Sequence, residues 1–128
     1  MVFKDSTKFE KFLSENRVSI VSLPTAFWHA WVQQMPSPTQ QTLDHLDTII
    51  VGGESMLPED IAHWQRHIRA DIKLFNSYGP SEATVICAVQ LLDESLSKIP
   101  PIGKLLPGTQ GKILNALQQE VSTDTVGE

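Results

Sequence analysis

Two spacings of apolar residues alternate along the chain. Phe9, Phe12 and Leu13, following Ser6-Thr7-Lys8, recur at three- and four-residue steps, so one helix face is expected near 6–16. Val18-Ser19-Ile20-Val21-Ser22-Leu23 is instead a β-branched run stopped by Pro24. It reads as a buried strand feeding a second helix, with Pro24 in that helix's first turn. Within this helix Phe27 and Trp31, flanked by Ala26 and Ala30, form an apolar stripe. Pro36-Ser37-Pro38-Thr39-Gln40-Gln41 is rich in turn formers and reads as a surface loop. Thr48-Ile49-Ile50-Val51 gives a second buried strand, Gly52-Gly53 a backbone opening, and Pro58-Glu59-Asp60 the acidic first turn of a helix reaching about Arg69. Asp71-Ile72-Lys73-Leu74-Phe75-Asn76 makes a third strand, followed by a Tyr-Gly-Pro turn and a fourth apolar run from Ala83 to Leu92. Thr109-Gln110-Gly111-Lys112-Ile113-Leu114 is a further strand weakened by its glycine and polar residues. Strands alternating with helices predict an α/β fold, a mostly parallel sheet with flanking helices.

Composition narrows the function classes. At 128 residues and 41% apolar content the chain can bury one modest core. A net charge of -5, from 10 basic and 15 acidic residues, offers no footprint for nucleic acid or an anionic membrane surface. No stretch reaches the ~18 apolar residues that a membrane helix needs. Cys87 is the single cysteine, so no internal disulfide forms, and a cytoplasmic setting is expected.

In open α/β sheets ligands gather beyond the carboxyl ends of the strands, which directs attention to Ser22, to Gly52-Gly53-Glu54 and to Asn76-Ser77-Tyr78. The last set continues through Gly79-Pro80 to Ser81-Glu82. An amide can read a purine edge, an aromatic ring can stack on its face, a hydroxyl can bond a phosphate, and a carboxylate can hold magnesium. On composition alone an ordinary turn remains the favoured reading. Gly52-Gly53 lacks the GxGxxG pattern of a dinucleotide fold, and His63 with His67 lacks the glutamate of an HExxH metal helix, leaving a solvated helix face. His29 and His45 have no recognisable sequence partners, and Cys87 reads as a buried inert thiol. Trp28, Trp31 and Trp64 are expected to pack helices against the sheet.

Asn76-Ser77-Tyr78-Gly79-Pro80-Ser81-Glu82 resembles the N-x-Y-G-P-[ST]-E motif of adenylate-forming enzymes, specifically nonribosomal peptide synthetase adenylation domains. Ser22-Leu23-Pro24-Thr25-Ala26-Phe27-Trp28-His29, Val51-Gly52-Gly53-Glu54 and Pro101-Ile102-Gly103-Lys104 resemble further stretches of those domains, in the same order. The resemblance implies residues 1–128 of a partial AMP-binding domain, truncated at both ends within the large N-terminal subdomain, with Val126-Gly127-Glu128 opening the next glycine-rich motif. Gly108 and Gly111-Lys112 depart from the family pattern.

By this resemblance an amino-acid carboxylate is joined to the α-phosphate of ATP, pyrophosphate leaves, and the acyl group passes to a phosphopantetheine thiol on a carrier domain. Peptidyl carrier and condensation domains are the implied partners. Tyr78 is then expected to stack on adenine and Asn76 to meet its amino edge, while Gly53 and Glu54 offer backbone to the nucleotide beside Ser55, Ser81 touches phosphate and Glu82 binds Mg2+. Ser22, Ile50, Gly52, Ser77, Val85 and Ile86 are expected to line the amino-acid side-chain pocket, disfavouring a charged substrate side chain. The isolated chain is expected to be inactive. Two other readings stay open at this point, a piece of an acyl-CoA synthetase or related acid–thiol ligase, and a non-enzymatic remnant or interaction module.

Overall fold

A computed structural model of the chain describes residues 5–35, 43–68, 70–83, 85–93 and 99–122. The expected loop at Pro36–Gln41, the helix end at Arg69 and the terminal Val126–Glu128 lie outside the described residues. The first helix, α1, spans Ser6–Glu15 and starts at Asp5, whose carboxylate accepts from the backbone N–H of Thr7 and Lys8. Strand β1 covers Ile20–Pro24, helix α2 Thr25–Gln33, strand β2 Thr48–Gly52, and helix α3 Pro58–His67. Strand β3 is Lys73–Tyr78, a short 3-10 turn takes Ser81–Ala83, and strands β4 and β5 are Ala88–Leu92 and Lys104–Leu105.

Among the described residues the strands form one sheet in the order β1-β2-β3-β4-β5. β1, β2 and β3 run parallel, with Ser22 beside Ile50 beside Phe75, and Pro24 beside Gly52 beside Ser77. β4 and the two-residue β5 continue the sheet antiparallel. The parallel ladders contain more registered pairs than the antiparallel ones, so the mostly parallel α/β architecture stands.

One face of the sheet is dry. Leu23, Ile49, Val51 and Leu74 point into a cluster with Trp28, Val32, Ile61 and Trp64 from α2 and α3. The tryptophans pack helix against helix and sheet as expected, with Trp31 edge-on to both Phe9 and Trp64. Buried Glu10 on α1 accepts from the indole Nε1 of Trp31 at 3.0 Å, which satisfies a polar group inside this layer.

Several expectations change. β1 is not a buried strand, because it stands at the sheet edge and only Leu23 of its five residues is buried. The buried face of α2 is Thr25, Trp28, Trp31 and Val32, a rotation away from Ala26 and Ala30, since the two large indoles must lie inward. On α1 Phe12 turns outward at 44% exposure, and Glu10 takes an inward place. Residues 109–114 form no strand: Leu114 makes an isolated bridge to Glu120, and the pairing with β4 falls to Lys104-Leu105. Cys87 precedes β4 and is half-buried.

Gly52 is required by its neighbour across the sheet. A Cβ there would stand 2.3 Å from the Ser77 Oγ and 2.7 Å from the Ser77 carbonyl oxygen. Gly52→Ala should therefore cost about 1–3 kcal/mol of stability by overpacking. Adding Ser77→Gly should recover only part of the loss, because the backbone oxygen still obstructs the methyl. Melting curves of the single and double variants check this, and a parental melting temperature for Gly52→Ala contradicts it.

The helix face carrying His63 and His67 is less solvated than its sequence suggests. The rings stack at 4.1 Å, and the His63 Nε2 is buried without a hydrogen-bond partner among the described residues. Burial first, then the neighbouring His67 and Arg66, hold His63 below the usual imidazole value of 6.5, with Asp60 opposing them. The unfolded chain then binds the proton more readily than the fold does. Stability should be lost as the pH falls through 6.5 toward the depressed folded value. His63→Gln should flatten this part of the melting-temperature profile, and an unchanged slope would remove His63 as its source.

Candidate functional site

The parallel register brings the ends of β1, β2 and β3 level, and among the described residues two cavities meet there. The first, of about 410 Å³, is lined by Gly53, Glu54 and Ser55 after β2 and by Asn76, Tyr78 and Pro80 from the β3 end. All five residues assigned from the sequence to nucleotide binding, Gly53, Glu54, Ser55, Asn76 and Tyr78, thus line one cavity. The second, of about 390 Å³, is lined by Ser22, Gly52, Ser77, Val85 and Ile86 among others. Ile50, placed in this pocket from the sequence, is not among its lining residues. It lies half-buried within β2, in register with Ser22 and Phe75. Gly53, Ser77 and Gly79 line both cavities, so the two share a boundary.

Asn76, Ser77 and Tyr78 sit inside β3 rather than after it, because the strand keeps pairing with β4 as far as Tyr78 beside Ala88. Alternation along the strand therefore separates their side chains. Asn76 is buried and its Nδ2 donates to the carbonyl of Pro101 at 3.0 Å. Ser77 is buried and its Oγ donates to the carbonyl of Val51 at 3.0 Å. Tyr78 is 44% exposed and lines the first cavity, so its ring is not part of the core.

Beyond Tyr78 the chain doubles back. The Cys87 N–H donates to the Tyr78 carbonyl at 2.8 Å, and a Cβ on Gly79 would stand 2.3 Å from the Val85 carbonyl oxygen. Val85 is held at φ 74°, a left-handed conformation costly for a β-branched side chain, and is 77% exposed at the rim of the second cavity. Ser81 and Glu82 lie on the exposed 3-10 turn and line neither cavity. That turn is tied by the Ala83 N–H to the carbonyl of Pro80 at 2.9 Å.

Glu82 is a single exposed carboxylate, and among the described residues no group of three or more His, Cys, Asp or Glu side chains can hold a metal. This donor set fits magnesium only as it arrives with phosphates and water, since that ion keeps much of its hydration and needs few protein ligands. No helix among the described residues is long and apolar enough to cross a membrane.

Sequence reasoning missed the other side of the Glu54-Ser55 turn. A third cavity, of about 300 Å³, is lined by Thr25, His29, Glu54, Ser55, Leu57 and Asp60 among others. His29 does have a partner: its Nδ1 meets Oδ2 of Asp60, a carboxylate 1% exposed whose Oδ1 accepts from the amide of Gln33. The available signal was the spacing Thr25, His29, Gln33, one polar residue per turn of an otherwise apolar helix.

Known proteins resemble the chain in sequence and in fold. A family model described as "AMP-binding enzyme" matches residues 1–128. The chain is 37% identical over 101 residues, 77% of its length, to an isonitrile lipopeptide synthase of Streptomyces coeruleorubidus. It is 32% identical over 111 residues, 87% of its length, to a dimodular nonribosomal peptide synthase of Bacillus subtilis. These alignments span only 7% and 4% of those relatives. Among solved structures, PA1221, an NRPS protein containing adenylation and PCP domains, superposes with a TM-score of 0.80 at 23% identity, over 96% of this chain and 24% of that one. The N-terminal subdomain of Klebsiella oxytoca NpsA, in complex with 3-hydroxybenzoyl-AMSN, superposes at 0.78 and 20% identity, over 99% of this chain and 30% of that one. The likeness in fold, the two cavities at the strand ends and the family match along the whole length lead to one assignment: the chain belongs to the AMP-binding enzyme family, and it corresponds to part of an adenylation domain of the nonribosomal peptide synthetase type.

Proposed function

We propose that these residues form the nucleotide wall and the side-chain wall of a domain that activates an amino acid. The observation that carries this reading is the boundary at Gly53, Ser77 and Gly79 shared by the two cavities. A nucleotide in one and a carboxylic acid in the other would bring the α-phosphate and the carboxylate together there, so catalysis rests on positioning and charge neutralisation. A carboxylate oxygen would attack the α-phosphorus of ATP and displace pyrophosphate, and the thiol of a carrier-domain phosphopantetheine would then attack the acyl carbonyl of the adenylate, forming a thioester and releasing AMP.

Tyr78 offers its exposed ring as a stacking platform for adenine. The Nδ2 of Asn76 donates to the Pro101 carbonyl, and its Oδ1 would accept from the adenine amino group. On the exposed turn the Ser81 hydroxyl would donate to a phosphate oxygen and the Glu82 carboxylate would hold the magnesium that accompanies the triphosphate. Ser22, Gly52, Ser77, Val85 and Ile86 make a neutral lining suited to an uncharged side chain. The PCP domain named alongside adenylation in PA1221 supports a carrier domain as partner, and a condensation domain of the same assembly line is proposed beside it. A single cysteine with no disulfide partner in this sequence is in keeping with a reducing, cytoplasmic setting for the reaction.

The reading is tested in a complete adenylation domain that carries these residues. Base–aromatic stacking of ~1–3 kcal/mol predicts that Tyr78→Ala raises the Michaelis constant for ATP roughly ten- to a hundredfold, whereas Tyr78→Phe costs little. Because the ring is exposed, the melting temperature should barely move. A parental ATP dependence in Tyr78→Ala would sink the nucleotide assignment. Glu82→Gln should slow adenylation roughly a hundredfold while amino-acid binding changes far less. Equal rates for variant and parent would take Glu82 out of the site.

A further inference from the structure

We infer that Thr25, His29 and Gln33, a polar stripe on α2, act together as positioning residues that hold the nucleotide wall in place. This rests on the nucleotide reading of the Gly53–Ser55 cavity. The connection from β2 to α3 comprises residues 53–57, and both of its ends are fastened to α2. At one end buried Thr25 uses a single hydroxyl twice. Its Oγ1 donates to the Glu54 carbonyl at 3.0 Å and accepts from the Glu54 N–H at 3.3 Å. At the other end His29 and Gln33 bind the two carboxylate oxygens of Asp60 in the first turn of α3.

Residues 25, 29 and 33 are four apart, so successive turns of one helix face read successive points of the connection. The consequence for Glu54 is specific. Its backbone N–H is already engaged by Thr25 and is not free to meet a base, so Glu54 contributes to the cavity as a fixed wall and through its exposed side chain. Of the clamped connection, the side-chain cavity touches Gly53 alone. Its nearest wall, Gly52 and Ser77, is fixed by strand pairing and by the bond from Ser77 to Val51. Loss of the clamp should therefore weaken ATP binding and spare the amino acid.

Thr25→Val keeps the shape and deletes both hydrogen bonds, leaving two Glu54 backbone groups unpaired. In a complete adenylation domain with these residues it should raise the Michaelis constant for ATP about tenfold. The kcat at saturating ATP and the Michaelis constant for the amino acid should stay within about twofold of parental values. Amide hydrogen exchange at Glu54 should quicken, and Thr25→Ser, which restores the hydroxyl, should return both readouts to parental values. His29→Leu, at a position 45% exposed, is the second arm in case Thr25→Val does not fold, and should raise the ATP constant about threefold by releasing the far end. Parental ATP constants in the folded variants overturn the clamp, as does a Thr25→Ser variant as impaired as Thr25→Val. Tyr78→Ala run alongside separates the two ideas. If it raises the ATP constant while the α2 variants do not, the clamp alone is wrong. If none of the variants moves it, the nucleotide reading fails and the clamp with it.

Discussion

The site depends first on the register of three parallel strands. With Pro24, Gly52 and Ser77 level, the chain leaves β1, β2 and β3 at one height, and the two cavities open where it departs. A slip of one residue between β2 and β3 would exchange every side chain between the faces of β3. Asn76 would leave the helix-covered side where it meets Pro101, and Ser77 would lose the Val51 carbonyl. What holds the register is burial on a single side. Ile49, Val51 and Leu74 must face Trp28, Ile61 and Trp64, and each fully buried aliphatic side chain contributes roughly 1.5–3 kcal/mol relative to exposure. The hydrophobic layer beneath the sheet thus sets the geometry of a polar site at its end.

The same layer contains ionisable and polar groups whose burial is costly without partners. Asp60 is the deepest of them, and both of its oxygens are bonded by α2. A buried carboxylate held in this way adds little net stability, but removing one partner is expensive because the charge left behind has no solvent. The arrangement fixes α3 against α2 with a direction that apolar packing lacks. Since α3 begins where the nucleotide-lining turn ends, orientation of the helices becomes orientation of the site.

The opposite face of the sheet has a different character. Ile50 and Phe75 are half-buried and Leu91 is 41% exposed, in one registered row across β2, β3 and β4, and Ile20 at the sheet edge is 62% exposed. The β-branched runs that read as buried strands are therefore covered on one side by the described elements. Hydrophobic content reports that a residue favours burial, and leaves open which surface provides it.

Period and punctuation in the sequence determined the elements themselves: the helices at Ser6 and Pro58, the strands through Ile20–Leu23, Ile49–Val51 and Leu74–Asn76, and the residues gathered at the ends of β2 and β3. These follow from local rules, since side-chain spacing, proline and glycine act over a few residues. Tertiary structure decided what those rules do not contain. It turned the indoles of α2 inward at the expense of Ala26 and Ala30, ran β3 on to Tyr78, moved the last strand from Thr109–Leu114 to Lys104-Leu105, and kept Ile50 out of the lining of the second cavity. It also paired Thr25 with Glu54, 29 residues apart, and His29 with Asp60, 31 apart. Hydrogen bonds over such separations depend on how two helices and a strand pack together, and no periodicity within one element encodes that distance.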